Sequence, residues 1–466
     1  MSPNSLEKMN FKRVSLLSLS FFTVLLAWSY FNLKVPLLLE DIIPDTPARD
    51  TIIGAIMAID NIIAVIVQPF FGDLSDRTQS ILGRRLPWII FGTAFSAFFF
   101  ILIPIVKALA GVVIIIFLFD LFMATFRGAS VTIVADYTPD KFRSGASSAQ
   151  QFIANIGGLI GFFMPKIIEI LKITDQNIEN SLGFWIVAVL MVLSVLGLAL
   201  GIKETPTGNK LFAIGKEKFD MDTTTFEIKK RRVEDQSTAL SSYIEIGKIF
   251  KENKSFAYML ITVFFFYLGF SGIEAFFSRF AVNYFGVTEG TAGVMMIAYS
   301  GPMILSAPFH GLLGQKIGRK RALLICIIWV IIATTLFSFF IVPTMHKNAN
   351  VPLIMACLAL ISIPWMGMIV QSFPVIWALS PEEKIGGYMG IYYTFNQTGY
   401  SISPIALGAI LSAFAYMGDK RFEFMFPYVL ICIILGLVFI LRVKGGEEKL
   451  SEEKIKEYSE KYIQDD

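Results

Sequence analysis

Four side chains set in apolar runs, Asp60, Asn61, Asp120 and Arg127, can do chemistry that their surroundings cannot. A charge held in hydrocarbon costs at least ~2.5 to 3.5 kcal/mol, so residues that keep one face a bundle interior or a watery cavity. Asp120 and Arg127 fall about two helical turns apart, hence on one helix face and roughly 10 Å apart along its axis. Two readings stay open for them: a structural pair bridged by water or neighbouring helices, or a carboxylate that takes and releases a proton while the cation and a bound solute bias the exchange. Moving one charge across ~100 mV is worth about 2.3 kcal/mol, so a titrating midplane carboxylate is an adequate coupling device. Asp60, with Asn61 beside it, is the second candidate. Two carboxylates at one level can share a proton or hold Na⁺ with amide oxygens, because hard cations prefer oxygen ligands.

These groups need elements that hold them at depth. The chain is 55% hydrophobic and only 17% charged, with 44 Phe, more apolar surface than a soluble core of its 466 residues can bury. The pattern predicts an all-α membrane protein with twelve transmembrane helices. The runs are Ser15 to Leu39, Thr51 to Phe71, Leu86 to Val106, Gly111 to Ala135, Gly145 to Ile168, Leu182 to Ile202, Phe256 to Phe280, Thr291 to Leu313, Ala322 to Val342, Pro352 to Leu379, Gly386 to Phe414 and Phe424 to Val443. Each is long enough to cross ~30 Å of hydrocarbon as a helix. They divide the chain into a six-helix bundle at 14–202, a charged cytoplasmic central loop at 203–254, a second six-helix bundle at 255–443 and a cytoplasmic tail at 444–466. Most of the 40 basic residues lie at the ends, in the central loop and in the loops on their side of the membrane, which predicts both termini inside. The first span is expected to stay as an uncleaved anchor in a multi-pass protein of the plasma or inner membrane. The central loop, with Lys229-Lys230-Arg231-Arg232, reads as a solvated linker that touches lipid headgroups or as a docking site, and the tail from Leu450 to Ile463 as a surface-lying helix.

With that orientation Asp60 and Asp120 lie about nine residues, roughly 14 Å, from the outer ends of their spans, near the midplane. Trp28, Asn155, Trp365 and Asn396 count to a similar depth, which suggests one central cavity of the kind in which alternating-access transporters bind solute. Asn32, Asn61, Glu274, Tyr392 and Gln397 complete the candidate solute-binding set. Glu274 is either a solute contact or a structural hydrogen-bonding group. Trp28, Tyr30, Trp365, Tyr392 and Tyr393 sit away from the interfacial belt and either stack on the apolar face of a sugar ring or simply pack. Arg279 is expected to snorkel from a span end, and Lys34 is ambiguous in the same way.

Between the second and third runs stands Gly72-Asp73-Leu74-Ser75-Asp76-Arg77, followed by Gly83-Arg84-Arg85-Leu86-Pro87, read as a glycine-bounded loop. Gly311 to Lys320 repeats it in reduced form between the eighth and ninth runs. Two such segments at matching places make an internal repeat, and in a membrane chain that points to a two-halved transporter. Gly72, Asp76, Arg77, Gly83, Arg84, Arg85, Gly318 and Arg319 are expected to form a cytoplasmic conformational latch that never touches solute. Gly157-Gly158-Leu159-Ile160-Gly161 predicts a close helix approach in the fifth span, and Pro404 an irregularity in the eleventh.

The Gln68-Pro69 and Gly-x-x-Ser-Asp-Arg run with its five-residue spacer to Gly-Arg-Arg-x-Pro resembles the loop of plant-type sucrose proton symporters and their bacterial branch, the sucrose/maltose proton symporters. These are related to the glycoside-pentoside-hexuronide cation symporters within the major facilitator superfamily. Asp120, Gly128 and Ala135-Asp136, and the run from Gly390 through Tyr392-Tyr393 and Gln397 to Pro404, add to the resemblance. It implies the major facilitator fold and gives the Asp120 carboxylate the role of proton acceptor. Asp60-Asn61 replaces a Gly-Pro, Arg127 a Gln, and Val131 an Arg of the plant members, which leaves the sugar and the coupling ion open. The function expected is proton-coupled symport of sucrose, maltose or another short saccharide, with sodium coupling as the alternative. An exporter of apolar compounds or a transporter-like sugar sensor are the other readings. The chain is expected to act as a monomer with a sugar and membrane lipid as its partners, without nucleic acid, metal or cofactor beyond H⁺ or Na⁺. A zinc-binding His pair, a serine elbow and a phosphate-binding glycine loop are all missing from the sequence, so an enzyme is not expected.

Overall fold

A computed structural model describes residues 11–78, 80–138, 143–173, 175–202, 250, 253–380 and 385–445. Every long element among them is helical. In chain order these are α1 (Phe11–Ile42), α2 (Arg49–Met57), α3 (Ile59–Arg77), α4 (Leu86–Leu102), α5 (Leu109–Asp136), α6 (Arg143–Leu171), α7 (Gln176–Gly201), α8 (Lys254–Arg279), α9 (Glu289–Ile317), α10 (Arg319–Leu336), α11 (Val351–Leu379), α12 (Ile385–Ala413) and α13 (Met425–Ile440). Among the described residues ten helices are long and apolar enough to cross a membrane, and Leu86–Leu102 is a shorter apolar helix. The chain gathers into two compact units, Met1–Arg232 with Thr288–Val294, and Val233–Val287 with Met295–Asp466. The basic run of the central loop and the predicted tail helix lie outside the described residues.

Local chemistry explains why polar residues survive in these helices. In α1, Ser18 donates to the Val14 carbonyl at 2.7 Å and Thr23 to the Leu19 carbonyl at 2.9 Å, so each hydroxyl is satisfied within its own helix. Helix starts are capped where sequence supplies an Asx residue. Asp175 accepts from the Asn177 amide at 2.9 Å, Asn253 from Phe256 at 3.0 Å, and Asn350 from Leu353 at 3.2 Å.

In the first unit α1 packs closely on α6. A Cβ added at Gly157 would sit 2.5 Å from the Phe22 carbonyl oxygen, and one at Gly161 2.5 Å from that of Leu26. Only glycine lets these backbones meet, which is the small-residue packing that replaces hydrophobic drive inside a bilayer. In the second unit α8 packs on α12 and α13, and 72% of the apolar window of Lys254–Tyr284 is enclosed by protein.

Several boundaries depart from the sequence reading. The second run is broken: α2 ends at Met57 and α3 begins at Ile59, so Asp60 lies in the first turn of a helix. No proline causes this break; it coincides with Asp60-Asn61, whose short polar side chains favour helix starts over interiors. The segment from Gly72 through Asp76 to Arg77 is not a loop but the end of α3, and Gly311 to Ile317 is the end of α9. The chain turns only beyond, at Gly83 (φ 93°) and Gly318 (φ 95°), where a left-handed backbone favours glycine. Both helices carry their i to i+4 bonding past the apolar run. The seventh and ninth runs end in single π-helical turns, Phe280–Tyr284 and Phe337–Ile341.

Candidate functional site

The first unit brings the four opening residues together. α3 packs on α5, which sets Asp60 and Asp120 within electrostatic reach of each other. Asp120 is only 2% exposed, and neither carboxylate oxygen has a hydrogen-bond partner among the described residues. Asp60 is half-buried and accepts from the Asn61 amide at 2.6 Å. The half-buried Arg127 acts on Asp60, so the cation's acidic neighbour is across the helix pair instead of on its own helix. The expected Asp120–Arg127 pair becomes a chain of three charges, Asp120, Asp60 and Arg127.

Trp28 of α1 closes one side of this group. Its ring meets Phe119, the residue before Asp120, with centroids 5.8 Å apart, and Phe31 at 5.5 Å. Its indole Nε1 is buried without a partner among the described residues. The first unit thus buries an unsatisfied indole donor as well as an unsatisfied carboxylate, and buried polar groups of this kind cost about 1–3 kcal/mol each unless something binds them. Asn32 and Asn155 are half-buried on α1 and α6. Tyr30 belongs elsewhere: it is 1% exposed, wedged between Phe100 and Phe184, and touches Gly183 so closely that packing is its role. Lys34 is also held internally, donating to Glu289 at 2.7 Å and to Asn180 at 3.1 Å, with Glu289 in the short segment that clusters with this unit.

In the second unit, Trp365 of α11 is 1% exposed and meets Phe270 of α8 with centroids 5.4 Å apart. Tyr392 of α12 is fully buried; its hydroxyl lies 3.4 Å from Ser372 Oγ, and its ring meets Phe373. One turn on, Asn396 is 8% exposed with Oδ1 unpartnered among the described residues. Gln397 and Glu274 are half-buried, whereas Tyr393 is 52% exposed. Arg279 departs from expectation: it does not snorkel but is fully buried, with its guanidinium 5.4 Å from the Phe422 ring centre and 5.8 Å from that of Phe276. Sequence reading missed Tyr267, Tyr299 and Tyr400. Tyr299 lies about eight residues into its run, close to the depth that singled out Asp60 and Asp120.

Immediately before α4, Arg85 is 3% exposed and holds Asp76 of the expected latch set. Its Nε donates to Asp136 at 2.9 Å, one terminal nitrogen donates to Ser75 at 3.0 Å, and the other to Asp76. Asp136, at the end of α5, and Ser75 were not anticipated in this cluster. Removing one partner of a buried ion group costs about 3–5 kcal/mol. Arg77 is exposed and Arg84 half-buried. Gly72 has open space around it, with nothing within 4 Å of an added Cβ. Arg319 reaches the Pro374 carbonyl at 3.4 Å.

Buried charge inside long apolar helices, glycine turns at Gly83 and Gly318 and small-residue helix contacts describe a solute carrier, and comparison with known proteins agrees. The chain is 24% identical over 401 residues to the uncharacterized symporter YnaJ of Bacillus subtilis (strain 168), covering 79% of this chain and 76% of that one. Its fold matches the D-xylose-proton symporter with a TM-score of 0.67 at 12% identity, over 94% of this chain and 98% of the other. It matches the nucleoside transporter NupG with a TM-score of 0.66 at 16% identity, over 93% and 100%. The profile of the MFS/sugar transport protein family matches residues 48–443, most of the chain, and the chain belongs to that family.

Proposed function

We propose that the chain is a secondary transporter that couples movement of a glycoside, such as sucrose, maltose or another short saccharide, to a cation, with the proton as the leading candidate. The observation that carries this reading is Asp120: a carboxylate 2% exposed, with both oxygens unpartnered and a second carboxylate nearby. Such a group is costly as an anion in hydrocarbon and changes its energy strongly when a cation joins it. Proton uptake at Asp120 removes the repulsion with Asp60 and leaves Arg127 to balance Asp60. Solute and cation then favour the same conformational state, which is all that coupling requires. The buried amides and hydroxyls around Trp28, Trp365 and Tyr392 suit a hydroxylated solute better than an apolar one.

One observation favours sodium as a second reading. Asp60, Asn61 and Asp120 together offer carboxylate and amide oxygens, the donors a hard cation prefers. In either case α4 and α12 act as spans alongside the ten longer apolar helices, giving twelve in a plasma or inner membrane, with Arg85 and its acidic partners latching one conformation at the cytoplasmic side.

The test is uptake of labelled sucrose, maltose and related saccharides by vesicles containing the purified chain, with a proton gradient, a sodium gradient or neither. Accumulation is expected only with a gradient. Equal uptake in all three conditions would eliminate symport, and the ion that drives accumulation decides between the two readings.

A further inference from the structure

Among the described residues of the second unit, Ser278, Tyr299, Thr334 and Ser338 bury hydroxyls without a partner, and Tyr299 is the tyrosine among them. Tyr299 of α9 is 2% exposed, and its Oη has no hydrogen-bond partner among the described residues. Burying a hydroxyl without a partner is unfavourable, and most native buried polar atoms are paired. Contrast Tyr284, which is also fully buried: its hydroxyl lies 3.0 Å from the Val342 carbonyl and 2.8 Å from Glu423 Oε1. The protein can satisfy a buried tyrosine and has not done so at 299.

The surroundings of Tyr299 say what is missing. Its ring meets Phe270 with centroids 6.3 Å apart, and Phe270 also meets Trp365 at 5.4 Å and Tyr400 at 6.0 Å, so four helices contribute to one aromatic wall. Glu274 lies one turn beyond Phe270 on the same face of α8 and close enough for its charge to act on the Tyr299 hydroxyl. One turn before Tyr400 on α12, Asn396 carries a second buried and unpartnered oxygen. Aromatic faces beside a carboxylate, a phenol and an amide oxygen are what a polyhydroxylated ring requires: apolar C–H faces to stack and alternating donors and acceptors around the rim.

We propose that Tyr299 and Glu274 form a sugar-recognising subsite carried by the second unit, with Phe270 as its floor. Tyr299 Oη donates to one hydroxyl oxygen of the glycoside, and the Glu274 carboxylate accepts from an adjacent hydroxyl. The subsite rests on the sugar reading above and deepens it by naming a specificity-determining residue.

The deciding substitution is Tyr299→Phe, which removes one hydroxyl and no hydrogen bond within the described protein. Binding of labelled sucrose and maltose to the purified full-length chain is measured beside its melting temperature, with Tyr284→Phe as the comparison. Tyr299→Phe is expected to melt at or above the parent temperature while binding about three- to tenfold more weakly, the size of one hydrogen bond lost to a neutral ligand. Tyr284→Phe is expected to melt lower with affinity unchanged. Among monodeoxy analogues, one should bind the parent and Tyr299→Phe proteins equally, since it lacks the hydroxyl that Tyr299 meets. A parent chain that binds none of the sugars removes the sugar reading and the subsite with it. A parent that binds and a Tyr299→Phe protein that binds equally well remove the subsite alone.

Discussion

Asp120 keeps both of its oxygens outside every hydrogen bond of the described protein, while Asp60, a helix away, is engaged by Asn61. Two acids in one neighbourhood are thus unequal, and the less satisfied one has more to gain from a cation. Coupling one charge across ~100 mV supports about 50-fold accumulation of solute, the equivalent of 2.3 kcal/mol. Asp120→Asn is expected to lower accumulation driven by a gradient to about onefold while leaving sugar binding or exchange measurable. Retained accumulation in vesicle uptake would take Asp120 out of the mechanism. Sequence identified the charged residues because a charge in an apolar run is conspicuous. It did not identify their pairing: Arg127 is close to Asp120 along the helix, yet it is the packing of α3 on α5 that brings it to Asp60.

Helix contacts in this protein depend on what is missing from a position. The Gly157 and Gly161 pair was legible from its spacing alone, and the structure seats both against carbonyl oxygens of α1. Gly161→Leu is expected to separate α1 from α6 and lower the melting temperature of the purified protein by several degrees, a cost of about 1–3 kcal/mol or more from overpacking. Gly72→Ala is the matched control: it lies in open space inside α3, where alanine is a better helix former by ~1 kcal/mol, so the protein should melt no lower. Equal loss of stability in both would show that the α1–α6 contact is not tight. The ends of elements were less legible. Residues from Gly72 to Arg77 read as a loop because charge and glycine usually mark one, but an α-helix needs only backbone bonds to continue, and α3 carries them through. The break before Asp60 was hidden for the opposite reason, since neither proline nor glycine announces it.

At the scale of the molecule, composition was enough to predict an all-helical membrane protein, because only helices satisfy every backbone group inside a bilayer without closing a barrel. Family membership then follows from residues 48–443. Orientation rests on the distribution of Lys and Arg and is open to a direct test. Leu82, in the turn after α3, is 52% exposed, and Tyr416, in the turn before α13, is 81% exposed. Single cysteines at these two sites, in a background without Cys326, Cys357 and Cys432, are expected to react from opposite faces, Leu82→Cys only from the cytoplasm and Tyr416→Cys only from outside. Labelling of both by one impermeant reagent from one face would overturn the twelve-span orientation.

Gly83 and Gly318 turn the chain with nearly the same positive φ, 93° and 95°, although the residues around them have diverged. Arg84-Arg85 in one half answers to Arg319-Lys320 in the other, and the spacer before them has changed length, yet the handedness of the turn has been retained. The likeness between the two turns thus lies in the sign of a dihedral angle more than in any side chain, because charge can be exchanged residue for residue while a left-handed turn admits few substitutes.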